Sequence, residues 1–280
     1  MCLRPVYLRS QGIAVPCGKC FECNVQRARA WAFRIALEAR QYKHCCMVTL
    51  TYNDEHLPLD RSVSVREIQL FIKRLRKKIY PLKIRYFGCG EYGERRGRPH
   101  YHVIIFGYDF SDRYFFKNDN KGTPLFLSPM LQRLWSVEKI AKGKKIYESI
   151  GYSSVVDVTY DTAKYVAIYL QKPPVDGRAR PFTVKSTRPG LAFSSIKPEL
   201  LKSDKLYLNG KYISLPRYFL SVLERQGYDI LPIKEKRLSN ARQAHLNYLA
   251  DTSAWFKERN NKIRKIERIF GKRLDKNLMV

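Results

Sequence analysis

Two histidines stand two residues apart in Gly97-Arg98-Pro99-His100-Tyr101-His102-Val103-Ile104-Ile105-Phe106. On an extended strand such residues point to one face, so both imidazoles can aim at a common point while Tyr101 and Val103 face the other way. Convergent imidazoles suit a divalent ion, but a metal needs at least a third protein ligand and, when catalytic, keeps open positions. Glu91 and Glu94 lie just upstream in Cys89-Gly90-Glu91-Tyr92-Gly93-Glu94, at the expected end of a neighbouring strand, and either can reach across. Taken alone, such a pair is more often two half-exposed strand histidines on a binding face.

A second set of reactive groups sits in Lys164-Tyr165-Val166-Ala167-Ile168-Tyr169-Leu170-Gln171-Lys172. On a helix, Tyr165 and Tyr169 are i and i+4, so their hydroxyls project from one face about a turn apart. A phenol is a poor nucleophile at neutral pH, but a metal that polarises a phosphodiester, with a cation such as Lys172 nearby, lowers the cost of phenolate. A third set is Cys17-x-x-Cys20-x-x-Cys23, which with Cys2 supplies four thiolates, enough for a closed tetrahedral zinc site tying the N-terminus to the first helix. The same spacing also suits buried thiols along one helix face, and nothing points to the electron transfer of an Fe–S cluster.

These groups need a scaffold. The 280 residues carry 53 Lys and Arg against 25 Asp and Glu, a formal charge of +28 that implies a polyanionic partner. With 45% hydrophobic and 13% aromatic residues the chain can fill a core, so general disorder is excluded. No sustained apolar stretch suggests a signal peptide or a membrane span. The odd number of cysteines, seven, fits a reducing compartment and hence a cytoplasm. Basic residues interleaved with tyrosines favour nucleic acid over an anionic membrane. No G-x-x-x-x-G-K-[ST] occurs, so ATP-driven unwinding is not expected of this chain.

Periodicity divides the chain into 1–45, 46–200 and 201–280. The first zone holds the cysteines and a basic amphipathic helix from Phe21 to Tyr42, whose Arg27 to Arg40 face is expected to contact a DNA backbone, as is Lys257 to Lys276. In the second, Cys46 to Tyr52, Ile84 to Gly88, Tyr101 to Phe106 and Val155 to Val158 read as strands, and Ser64 to Tyr80 and Thr159 to Gln171 as helices. A basic loop is expected from Pro173 to about Leu200. Asn209-Gly210 between Tyr207 and Tyr212 signals a tight hairpin. Lys234 to Val280, with thirteen Lys and Arg against five Asp and Glu, reads as one or two basic amphipathic helices.

Taken in order, these motifs resemble a known family, the HUH-type initiators of rolling-circle replication. His100-Tyr101-His102 looks like the histidine-hydrophobic-histidine motif, Met47 to Asn53 is similar to the first motif strand, and Tyr165-x-x-x-Tyr169 resembles the paired tyrosines of the two-tyrosine branch. With the cysteine cluster and Trp31-x-x-Arg34, the chain over about residues 1 to 200 resembles the initiators of gokushovirus-type microviruses. The resemblance implies that His100 and His102 bind Mg2+ or Mn2+, with Glu91 the better third ligand and Glu94 the weaker. It implies nucleophilic Tyr165 and Tyr169, with Lys172 where single-tyrosine relatives carry a lysine. Single-stranded DNA, a viral origin, and a host helicase and polymerase are the implied partners, in the cytoplasm of a bacterial host cell. Tyr101 departs from the usual aliphatic residue.

The expected fold is α+β: a central antiparallel sheet bearing the histidines, flanking helices, and basic helical extensions at both ends. Two other readings remain, a non-catalytic zinc-stabilised DNA-binding protein and a transposase or relaxase using the same chemistry.

Overall fold

A computed structural model describes residues 2–93, 97–120, 122–141, 143–160, 162–163, 166, 177–208 and 210–270. Packing divides the chain into two compact units, one formed by the terminal stretches up to Ala30 and from Ser194 onward, the other by Trp31–Phe193.

The terminal unit opens with a short hairpin, β1 (Val6–Leu8) and β2 (Ile13–Val15), followed by helix α1 (Phe21–Ala39), whose first half belongs here. The second unit is built on β3 (Cys45–Thr51), helix α2 (Val65–Lys78), β4 (Arg85–Tyr92), β5 (Pro99–Phe106), β6 (Tyr114–Asn118), β7 (Pro124–Leu127), helix α3 (Pro129–Leu134), a hairpin of β8 (Ser136–Ala141) and β9 (Lys144–Ser149), β10 (Ser153–Asp157) and β11 (Phe182–Lys185). The terminal unit resumes with the hairpin β12 (Lys205–Leu208) and β13 (Lys211–Ser214), then helices α4 (Arg217–Arg225), α5 (Leu231–Ala250) and α6 (Thr252–Phe270). Among the described residues no helix is long and apolar enough to cross a membrane.

Seven strands form one sheet in the order β11-β4-β5-β3-β10-β7-β6, every pair antiparallel. This is the α+β architecture expected, with the histidine strand β5 held between β4 and β3. Period-two alternation divides the core between two faces. Cys46, Val48, Leu50, Tyr101, Val103 and Ile105 face α2. That helix is N-capped by Ser64 Oγ, which accepts from the Arg66 N–H at 3.3 Å, and it buries Ile68, Phe71, Ile72 and Leu75 at helical spacing. Met47, Phe87, Ile104 and Phe106 face the other way, against Ile35 and Trp31 of α1 and against Ala163 and Val166.

Tyr101, the departure from an aliphatic residue, is fully buried on the α2 face. Its hydroxyl accepts the Ser64 N–H at 3.0 Å and lies 3.1 Å from the Tyr52 hydroxyl, so its polar tip is satisfied. Trp135 closes the same cluster; its Nε1–H donates to the Thr51 carbonyl at 2.6 Å and its ring meets Tyr52 at 5.5 Å and Tyr101 at 6.0 Å. Replacing Trp135 with alanine is therefore expected to cost about 3–5 kcal/mol, read as a lower denaturant midpoint.

Several elements differ from the expectation. The stretch expected as a basic loop contains β11, where Phe182, Thr183, Val184 and Lys185 pair with Gly90, Cys89, Gly88 and Phe87 and form a sheet edge. The arginine face of α1 is only partly a solvent face. Arg34 is 8% exposed, donates through Nε and Nη2 to the Leu191 carbonyl, and covers the Trp31 ring at 4.2 Å. Arg27 donates to the Gly18 carbonyl and to Asn24. These guanidiniums satisfy buried carbonyls and hold loops, which leaves fewer of them for a DNA backbone.

Candidate active site

One face of the sheet changes character along its length. Toward one end it is apolar, with Phe87, Ile104 and Phe106; toward the other the residues in register are Thr49 and Thr51 of β3, Cys89 and Glu91 of β4, His100 and His102 of β5, and Ser154 of β10. Antiparallel pairing sets His100 directly opposite both Glu91 and Thr51, and His102 opposite Cys89 and Thr49. Directly opposed side chains in such ladders lie within reach of one another.

His102 Nε2 lies 3.4 Å from Glu91 Oε1, and both side chains are nearly fully buried. A buried carboxylate is costly without a cation or hydrogen-bond donors, so this end of the face is built to hold positive charge. On the other ring edge, His102 Nδ1 is 3.0 Å from Thr49 Oγ1. His100 Nδ1 lies 2.6 Å from the Arg98 carbonyl. A carbonyl can only accept, so that nitrogen carries the proton and Nε2 holds the lone pair. Imidazoles oriented through Nδ1 in this way are the usual form of metal-ligating histidines.

The donor set, two imidazoles and a carboxylate, fits a divalent ion, and Glu91 is the acidic residue beside the histidines. Glu91 and His102 are in contact, but the ligand atoms of Glu91, His100 and His102 do not all lie within 4.8 Å of one another, as those of two other described groups do. Glu94 lies outside the described residues, as do Tyr165, Tyr169 and Lys172. Their segment is represented by Ala163 and Val166, which are helical, fully buried, and packed on the histidine-bearing face with Phe87, Cys89 and Ile104.

The turn between β4 and β5 shapes the site. The Arg98 carbonyl accepts both the Gly93 N–H at 2.9 Å and His100 Nδ1–H. A β-carbon on Gly93 would fall 2.7 Å from His100 Cε1. Gly93→Ala is therefore expected to displace the His100 ring and weaken divalent-ion binding by roughly tenfold, without changing the unfolding midpoint by much; titration calorimetry with Mn2+ measures it. Arg98 also donates to the Tyr52 carbonyl at 2.9 Å and pairs with Asp54, and Arg178 donates to the Gly97 carbonyl at 2.7 Å. Thr49, Gly93 and Arg178 have no distinguishing sequence pattern of their own; only strand register and chain folding bring them here.

The terminal unit holds a second cluster. Cys2, Cys17, Cys20 and Cys23 bring four sulfurs within 4.8 Å of one another. Cys2–Cys20, Cys2–Cys23 and Cys17–Cys23 are 3.7, 3.6 and 4.0 Å apart. Sulfurs at ~2.3 Å from a tetrahedral zinc are separated by about 3.8 Å, so the four thiols match that geometry. Backbone N–H groups of Arg4 and Cys17 point at Cys2 Sγ, and those of Lys19 and Cys20 at Cys17 Sγ, as charged sulfurs require. Burial opposes ionisation of Cys17, but these N–H groups outweigh it and bring the thiol down to about 7, whereas burial pushes Cys2 and Cys23 up. The other described group, Glu55, His56 and Glu148, is looser: Glu55 is exposed and Glu148 is already paired with Lys139.

Comparison with known proteins gives consistent results. Residues 45–174 match the family model of the replication-associated protein ORF2. The chain is 30% identical over 288 aligned positions to replication-associated protein ORF2 of Spiroplasma virus 4, covering 91% of this chain and 85% of that protein. It is 31% identical to replication-associated protein ORF4 of Chlamydia phage 1, over 75% of this chain and 54% of that one, and 34% identical to replication-associated protein VP4 of Bdellovibrio phage phiMH2K, over 59% and 50%. The chain thus spans about half the length of two of these relatives. No solved structure matches.

Proposed function

The chain belongs to the replication-associated proteins of gokushovirus-type microviruses, and from that membership we propose that it initiates rolling-circle replication by nicking single-stranded DNA through a tyrosine. The observation that carries this reading is the polar end of one sheet face. There Glu91 and His102 meet, His100 stands in register beside them, and the segment bearing the two tyrosines is anchored on the same face through Ala163 and Val166.

In this reading His100, His102 and Glu91 hold Mg2+ or Mn2+. The ion, when bound, supplies Lewis acidity toward the scissile phosphate. Thr49 and the Arg98 carbonyl fix the imidazoles through Nδ1, so their Nε2 atoms are presented without reorganisation. One of Tyr165 and Tyr169 loses its proton, a step that Lys172 favours, and its oxygen attacks phosphorus in line. The P–O3′ bond breaks, the new O–P bond is a 5′-phosphotyrosine, and the leaving oxygen takes up a proton to become a 3′-hydroxyl. That hydroxyl primes a host polymerase while a host helicase unwinds. After one circuit the second tyrosine attacks the regenerated junction, and the released 3′-hydroxyl reseals the displaced strand. Two nucleophiles at i and i+4 suit this alternation.

Single phenylalanine replacements at Tyr165 and Tyr169 test it. Each is expected to spare one transfer step and block the other, and the double replacement to abolish the covalent adduct. Full activity in both singles would refute the assignment. The four-cysteine cluster is read as a structural zinc site of the terminal unit, on the strength of its sulfur–sulfur separations and its N–H donors.

A further inference from the structure

We propose that the β12–β13 hairpin is a base-stacking site for single-stranded DNA within the terminal unit, separate from the histidine site. The inference rests on the reading of the chain as a protein that handles single-stranded DNA, and it adds where and how a strand is held. Tyr207 and Tyr212 are directly opposed in the ladder, so both rings emerge on one face. Their centroids are 4.8 Å apart with planes inclined at 46°, and the residues are 62% and 70% exposed. The opposite face is the buried one, with Leu206 only 7% exposed. An amphipathic hairpin that turns its aliphatic side inward and two tyrosines outward presents aromatic surface where a core has no use for it.

The hairpin is held rigidly at its base. Arg237 of α5 donates through Nε to Asp204 at 3.1 Å, pairs with it also through Nη2, and donates to the Leu215 carbonyl at 2.9 Å. The Leu215 N–H closes the ladder on the Asp204 carbonyl at 3.0 Å. At the tip, Gly210 takes φ 73°, the left-handed conformation that a tight hairpin turn requires. The rings are therefore fixed in place before any ligand arrives.

Charge selects the occupant. Lys205 shares the tyrosine face by register and is exposed, as are Lys202 and Arg217 nearby in the chain. Arg217 and Arg237 line a cleft of about 540 Å³ with Tyr218, Ser221 and Lys234. Exposed aromatic rings beside cations, on a chain of net charge +28, match the stacking-plus-backbone chemistry of single-strand binding, which tolerates any base because every base has a π-face.

The test uses the full chain and a fluorescent oligothymidylate, with binding followed by anisotropy over a range of salt. Replacing both tyrosines with threonine, which keeps strand propensity, is expected to weaken single-strand affinity about tenfold or more while leaving the salt slope unchanged. Replacing both with phenylalanine restores affinity. Lys205→Ala lowers the salt slope by about 0.7. Unchanged affinity in the threonine pair overturns the proposal. So does an equal loss in the phenylalanine pair, or a change of oligomeric state without a change in DNA affinity, which would make the hairpin a protein contact. Cleavage by the wild type is assayed alongside. If it cleaves while the threonine pair binds normally, the hairpin assignment alone fails; if the wild type binds the probe with loss on threonine substitution but never cleaves, the nicking assignment alone fails.

Discussion

Glutamine at His102 is expected to remove divalent-ion-dependent cleavage almost entirely, by at least about a hundredfold, while the protein stays folded. The imidazole contacts Glu91 through Nε2 and Thr49 through Nδ1, both inside the nearly closed end of one sheet face. Glutamine keeps a polar group opposite the carboxylate, which alanine would leave with one partner fewer in a buried setting. The separation of binding from folding is readable in thermal melts. Mn2+ at about a hundred times its dissociation constant should stabilise the wild type by about 2.7 kcal/mol and His102→Gln not at all. Thr49→Val, which removes only the partner that orients the ring, should give an intermediate result, with affinity for the ion lowered about 10–100-fold. Undiminished cleavage in His102→Gln would show that the strand histidines belong to a binding surface rather than to a metal centre.

The second large effect concerns the four cysteines. Protein purified without added zinc is expected to contain one zinc ion per chain, and Cys20→Ser to contain none. Cys20 and Cys23 pack with Leu3, Phe21 and Ile266, and Arg259 of α6 donates to the Leu3 carbonyl at 2.9 Å. Loss of the ion should therefore release the N-terminal segment and α6 together. Structural zinc in small domains supplies a binding free energy of about 10–16 kcal/mol, far more than these few apolar contacts. Hydrogen exchange should show residues 2–25 and α6 losing protection in Cys20→Ser while β3, β4 and β5 keep theirs. Unaltered protection, or wild-type protein free of zinc, would make the cluster four buried thiols.

The elements that can be read from sequence are those where period and propensity agree. Cys45–Thr51 and Pro99–Phe106 are dense in β-branched and aromatic residues, and α2 repeats its apolar positions at 68, 71, 72 and 75. Strand β4 runs four residues beyond the expected end at Gly88, because glycine weakens strand propensity although here it is required. A β-carbon on Gly90 would lie 2.6 Å from the Phe182 ring, and one on Gly88 3.3 Å from Ile68. Strand β11 is hidden for the complementary reason, four residues of modest alternation inside an arginine- and proline-rich stretch that only pairing with β4 makes a strand. Hairpins such as β8–β9 leave most of their side chains to solvent, so they impose no apolar rhythm.

At the site, the spacing of His100 and His102 is enough to place them on one face, and a nearby glutamate is visible in the chain. What spacing cannot convey is register. That Glu91 rather than a neighbour opposes His100, and that Thr49 meets His102, follows from how β3, β4 and β5 align along their whole lengths. Cys2 illustrates the same limit, since its sulfur joins a cluster that begins at Cys17 only because the chain between them folds back as the β1–β2 hairpin.

The central claim is tyrosine-mediated, metal-dependent strand cleavage. Its most direct test is to incubate the full chain with labelled circular single-stranded DNA in Mn2+ or in EDTA, followed by denaturing electrophoresis and peptide mapping of any DNA-linked species. The account predicts a covalent adduct that forms only with Mn2+, maps to the peptide containing Tyr165 and Tyr169, and leaves a free 3′-hydroxyl. Tight, steeply salt-dependent binding without cleavage on DNA carrying the viral origin, or an adduct on another peptide, would contradict it.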